Sequence, residues 1–170
     1  MKNRRTLKLN KDFIPCEAYE NEEIYPNGIF HFNISRILEH IISGQLIVEQ
    51  EDIYVLDWYK SHYTGNDFNE EHLKTVTLDK PVLVAEISPG RFNLIDGHHR
   101  MEKAHREKVE TVKSYKLKGE QLIPYFIAVK GYEAFVGYWN NKLSVQESEK
   151  KAREKFLKKY PLYSDDSSSQ

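Results

Sequence analysis

An aspartate, a glycine, two adjacent histidines and an arginine occupy consecutive positions in FNLIDGHHRMEKAHREKV, residues 92–109. The apolar run before them has strand character, while Met101 and Ala104 follow helical spacing. A strand that passes through a glycine into a helix leaves the first-turn N–H groups unpaired and aims the positive end of the helix dipole at the junction. That is the chemistry of an anion site. Gly97 would let a ligand approach, His98 and His99 would add donors, and Arg100 could hold a phosphate or carboxylate through two parallel hydrogen bonds. His98 and His99 are also the candidate catalytic groups, because imidazole exchanges protons near neutrality. A purely local reading competes: Asp96 caps the helix, Gly97 turns the chain, and Arg100 pairs with Asp96 or with another acid such as Glu86.

Metal chemistry is the sharper competitor. Adjacent histidines on a helix point about 100° apart, and the HExxH pattern is absent, so zinc held by Asp96, His98, His99 and His105 is disfavoured. Mg2+ held by Asp96 together with ligand phosphates suits an oxygen-loving cation better. Glu39, Asp57 and Glu86 are further carboxylates that phosphoryl chemistry could use, but nothing in their spacing singles them out. Cys16 sits between Pro15 and Glu17, with no adjacent cation to activate it, and reads as an ordinary thiol.

Elements are needed to position the junction. KPVLVAEI, a turn at SPGR and FNLID read as a hairpin; His98 to about Lys108 reads as a helix, and ETVKSYKL as a third strand. Upstream, IFHFN leads into a helix that carries Ile34, Ile37, Leu38, Ile41 and Ile42, capped by Asn33 or Ser35 and stopped at Gly44. DIYVLDWYK begins extended, and a short helix starts near Asn69. The aromatic run YFIAVKGYEAFVGYW suits a core better than a stacking platform for bases. SVQESEKKAREKFLKKY reads as a solvated helix, with Ser144 and Glu147 at capping-box spacing. Its basic end, EKKAREKFLKKY, could touch nucleic acid or a partner. The resulting division is an irregular N-terminal arm over 1–28, one domain over 29–143, a charged helix over 144–163 and a disordered tail over 164–170.

A chain of 170 residues suits one domain, and 39% hydrophobic residues with 11 Tyr and 8 Phe predict a real core. The net charge of −1 gives no global attraction for nucleic acid or anionic lipid, although a local basic face could still form. No segment approaches the roughly 20 apolar residues of a spanning helix, no secretory signal is visible, and one cysteine cannot form an internal disulfide. The expectation is a soluble cytoplasmic protein that does not enter the membrane.

NLIDGHHRMEKAHREKVETVKSYKL resembles the core of the ParB/sulfiredoxin superfamily: a strand ending in glycine, a polar pair and an arginine, a helix, then a Val-rich strand. The likeness spans roughly residues 80–117, and HFNISRIL matches the family's opening strand and helix more weakly. It implies an α+β fold, a small mixed β-sheet flanked by helices with a helical C-terminal extension. It also implies that Gly97, His98, His99 and Arg100 contact the phosphate of a nucleotide (ATP, ADP or CTP, with Mg2+) or of a phosphorylated small molecule. Activities in the superfamily include nucleotide hydrolysis with DNA clamping, phosphoryl transfer and nuclease activity. A phosphotransferase, nucleotidase or nuclease is therefore expected, or alternatively a non-enzymatic DNA- or protein-binding module. No helix-turn-helix and no Gly-Cys-His-Arg context at Cys16 are visible, which disfavours chromosome partition and sulfinic-acid repair.

Overall fold

The computed structural model describes residues 5–62 and 67–161. In chain order the elements are β1 (Ile24–Asn27), β2 (Phe30–Asn33), α1 (Ile34–Ile42), β3 (Glu49–Tyr54), α2 (Val55–Ser61), α3 (Glu70–Thr75) and β4 (Val82–Ser88). There follow β5 (Arg91–Asp96), α4 (His98–Arg106), β6 (Thr111–Leu117), α5 (Gly119–Leu122), a 3-10 turn at Ile123–Tyr125 and α6 (Val129–Lys159). β1 and β2 form an antiparallel hairpin, while the main sheet has the order β3-β6-β4-β5. In the main sheet β4 runs parallel to β6, and the other pairs are antiparallel. The fold is thus α+β, a small mixed sheet flanked by helices and followed by a C-terminal helix.

Strand β4 explains the layering. Every residue from Val82 to Ser88 is buried, as a strand covered on both faces must be. Leu83, Ala85 and Ile87 join Ile37, Phe126, Phe135 and Trp139 in one core, whereas Val82 and Val84 pack with Val55, Met101 and Ala104 in another. The second core seats α4 on the sheet with Met101 and Ala104 inward, which fixes where His98, His99 and Arg100 point.

The predicted hairpin, α1, α4 and the third strand are all present, with α4 ending at Arg106. Asn33 is the residue that caps α1, and it is fully buried. Its Oδ1 accepts from the Arg36 N–H at 2.9 Å, while Nδ2 donates to the Glu17 carbonyl at 3.1 Å and to Glu22 Oε2 at 2.8 Å. Asn33→Ala is expected to cost about 2 kcal/mol in a urea titration, the upper part of the capping range, because buried donors and acceptors lose their partners together.

Two expectations are corrected. The arm is not irregular throughout, since Ile24–Asn27 pairs with Phe30–Asn33. The C-terminal helix does not begin at Ser144 but at Val129, and it runs through the 143/144 boundary, so Ser144 and Glu147 cap nothing. The reason lies in the aromatic run: Tyr132, Phe135, Val136 and Trp139 recur at helical spacing and are all buried, which carries the helix across Gly131 and Gly137. The expected tail, 164–170, lies outside the described residues. No helix among the described residues is long and apolar enough to cross a membrane.

α6 also holds the arm. Asn140 pairs with both backbone groups of Leu7, at 2.9 Å each, and Trp139 Nε1 donates to the Arg5 carbonyl at 2.6 Å. The Tyr132 hydroxyl accepts from the Asn10 N–H at 2.7 Å. Arg5 is thereby delivered to Glu86, near the end of β4.

Candidate functional site

β5 ends at Asp96, and α4 starts at His98, with Gly97 between them at φ 95° and ψ 24°. This left-handed conformation favours glycine. Packing demands it as well: a Cβ on Gly97 would lie 2.7 Å from Val82 Cγ1 and 2.9 Å from Arg100 Nη2. The space expected to admit a ligand at Gly97 is therefore occupied by Val82 and Arg100. Asp96 does not cap the helix either, since no side chain caps α4. Its Oδ2 accepts instead from Arg100 Nη2 at 3.0 Å, and the same nitrogen donates to the Pro81 carbonyl at 3.3 Å. Arg100 does not pair with Glu86, which Arg5 holds.

The first turn of α4 faces a cavity of about 550 Å3. Asp96, Gly97, His98, His99 and Arg100 all line it, together with Glu23, Asp67, Phe68, His72 and Val76. His99 meets Phe68 and His72 edge-on, with ring centroids at 5.6 and 4.6 Å. Its Nε2 is buried and makes no hydrogen bond among the described residues, and neither does the buried Nε of Arg100. Two orphaned polar atoms beside one cavity call for a partner, because unpaired buried groups are rare and costly.

Both histidines are held below the ordinary imidazole range. For His98 burial is the main cause, opposed by the Asp96 carboxylate and reinforced by His99; for His99 it is burial and then His72. At neutral pH both are uncharged, so each has a lone pair with which to take a proton. Arg100 is then the permanent cation of the lining, set against the carboxylates of Glu23, Asp67 and Asp96. The Glu23 carboxyl is pushed up by burial and by Asp96, with Arg100 opposing. A phosphate entering such a site would be best matched with a divalent cation, which Asp96 or Asp67 could share with phosphate oxygens. Among the described residues no group of three His, Cys, Asp or Glu forms a site for a metal ion by itself.

A second cavity, of about 320 Å3, adjoins the first and shares His98 and Phe68 with it. Its walls include Tyr25, Trp58, Tyr59 and Met101, with Arg91 and Asn93 of β5 as polar groups. Trp58 of α2 and His62, the residue just after that helix, stack at 3.6 Å and 5°. The surrounding helices are tied together: Glu102 of α4 accepts from Tyr59 of α2 and from Arg106, both at 2.7 Å, and Arg106 grips Glu70 of α3 with two bonds of 2.7 and 3.0 Å. His72 is thereby carried over His99.

The five motif residues thus share one cavity, whereas the other candidates lie elsewhere. Glu39 pairs with Arg36 and Asp57 with Lys60, Glu86 is gripped by Arg5, and Cys16 lines neither cavity. His105 stacks on Tyr59 rather than joining His98. The opposite wall, from Glu23, Asp67, Phe68 and His72, carried no signal in the sequence. Trp58 and His62 at i and i+4 were the one hint of the aromatic cavity. No protein-family model, curated protein or solved structure matches this chain.

Proposed function

We propose that this chain is a ParB/sulfiredoxin-like protein that binds a nucleotide, or another ligand with a phosphate and a ring, and acts on its phosphate. The observation that carries this reading is the meeting of two cavities at His98. One is polar and holds Arg100, the first turn of α4 and the partnerless His99 Nε2; the other is aromatic. Phosphate in the first would receive α4 N–H groups and an Arg100 guanidinium already oriented by Asp96. A flat ring in the second would lie among Tyr25, Trp58 and Phe68, with Arg91 and Asn93 to address its edge. Mg2+ would neutralise phosphate against Asp96 and Asp67. His98 or His99, neutral at working pH, would take the proton of the attacking hydroxyl or water in phosphoryl transfer or hydrolysis. The succession of β5, Gly97, α4 and β6 supports the family resemblance of the same segment.

A thermal-shift screen of ATP, ADP, CTP and phosphoamino compounds, with and without Mg2+, tests it. A binder at 100 times its Kd should stabilise the protein by about 2.7 kcal/mol. Arg100→Ala should lose the shift, and Arg100→Lys should recover part of it, since lysine keeps the charge but not the fork. Trp58→Ala should lose the nucleotide shift and keep any response to inorganic phosphate. A nucleotide shift undiminished in Arg100→Ala would sink the reading, as would the absence of any shift.

A further inference from the structure

We infer that the free end of α6 grips the phosphate backbone of nucleic acid, independently of the cavity at α4. α6 has 31 residues, about 46 Å at the helical rise. Its first half is rooted in the core through Tyr132, Phe135 and Trp139, so its direction is fixed by packing. Further along, every residue from Ser148 to Phe156 is exposed.

The charge of the last ten residues of the helix is one-sided. Six cations and one glutamate between Lys150 and Lys159 amount to +5, so with −1 for the whole chain the other residues carry −6. Lys151, Lys155 and Lys158, at i, i+4 and i+7, share one face, and none of them has an ion pair among the described residues. Lys150 pairs with Glu154 at 4.0 Å on another face. Glu154 stands three residues after Lys151 and four before Lys158, but the like charges at Lys151 and Lys155 (i, i+4) and at Lys155 and Lys158 (i, i+3) outnumber it, and they weaken the helix unless an anion lies along it. A duplex, with a charge every ~1.7 Å of its axis, supplies such a line of anions. The acidic remainder of the chain would repel it, leaving α6 as the contact. An anionic membrane fits less well, since an interfacial helix needs a broad apolar face and Ser148 to Lys159 offers only Ala152, Phe156 and Leu157. A second copy of the helix would bring a like-charged stripe.

The test is the fluorescence anisotropy of a short labelled DNA duplex titrated with the full chain at several salt concentrations. Three or four phosphate contacts give a slope of log K against log salt of about −3. The triple variant Lys151→Glu, Lys155→Glu, Lys158→Glu should weaken binding on the order of 100-fold at low salt. Its far-UV circular dichroism should match wild type, because all three side chains are exposed. Arg100→Ala should bind the duplex as wild type does, which separates this surface from the nucleotide reading. Equal binding by the triple variant, loss of binding in Arg100→Ala, no binding at low salt, or a preference for phosphatidylserine vesicles over the duplex would each overturn the proposal.

Discussion

Replacing Arg5 with alanine is expected to lower stability by about 3 kcal/mol in urea denaturation at neutral pH. Glu86 is 1% exposed in the middle of the sheet, and Arg5 grips it with two parallel bonds of 2.7 Å. The same guanidinium bonds Glu120 at 3.0 and 2.7 Å and lies 5.2 Å from the Trp139 ring. Removing it leaves a buried carboxylate with two backbone partners, Gly90 N–H at 2.7 Å and Gly119 N–H at 3.2 Å. Those partners, and the water that can enter where the 41%-exposed Arg5 side chain stood, hold the loss at the low end of the range for a broken buried pair.

The pH dependence sharpens this expectation. Burial alone would push the Glu86 carboxyl up, but the Arg5 bonds and the two N–H groups outweigh it and hold it below the usual 4.5. A depressed carboxyl stabilises the fold above its unfolded value, and the stabilisation is lost as pH falls through the folded value. Without Arg5 the burial effect gains, so protonation hurts the variant less than the wild type. The gap between them should therefore be widest at neutral pH and narrow below about 4.5. Replacing both partners, as Arg5→Met with Glu86→Leu, should restore most of the loss. A single-variant loss under ~1 kcal/mol that did not change with pH would show that the arm is held by Leu7, Trp139 and Asn140 alone.

This clasp also marks the limit of what the sequence reveals. The turn at SPGR, the glycine before α4 and the alternation in β6 are local signals, written within a few residues of the structure they produce, and they were legible. Arg5 and Glu86 are 81 residues apart, and no periodicity reports such a pairing. The wall opposite His99 was hidden for the same reason: Asp67, Phe68 and His72 precede the motif by about 30 residues, and folding of α3 over α4 brings them across. Ser144 and Glu147 misled because capping-box spacing occurs inside helices too, and only the buried face from Tyr132 to Trp139 decides that α6 is already under way. Arg100 is expected from its type to grip a phosphate or carboxylate; in this structure one of its nitrogens, Nη2, bonds the carboxylate of Asp96 and the Pro81 carbonyl.

That pairing makes Gly97→Ala the most telling single substitution in the site. The expected loss is roughly 3 kcal/mol, the sum of forcing alanine to a positive φ and of crowding a packed core. Gly97 is buried, and a methyl there would meet Val82 Cγ1 at 2.7 Å and Arg100 Nη2 at 2.9 Å. Val82 is fully buried in β4 and has nowhere to go, so the guanidinium must yield. When it moves, the bonds to Asp96 and Pro81 break, and Arg100 no longer presents its donors beside the first turn of α4. The thermal-shift response to phosphate ligands should then vanish as it does in Arg100→Ala. Adding Val82→Ala to Gly97→Ala should relieve the steric part while leaving the φ penalty, and with Arg100 free to return, part of the ligand response should reappear. If Gly97→Ala melted within a degree or two of wild type, or if Val82→Ala rescued nothing, the packing account of this glycine would be wrong.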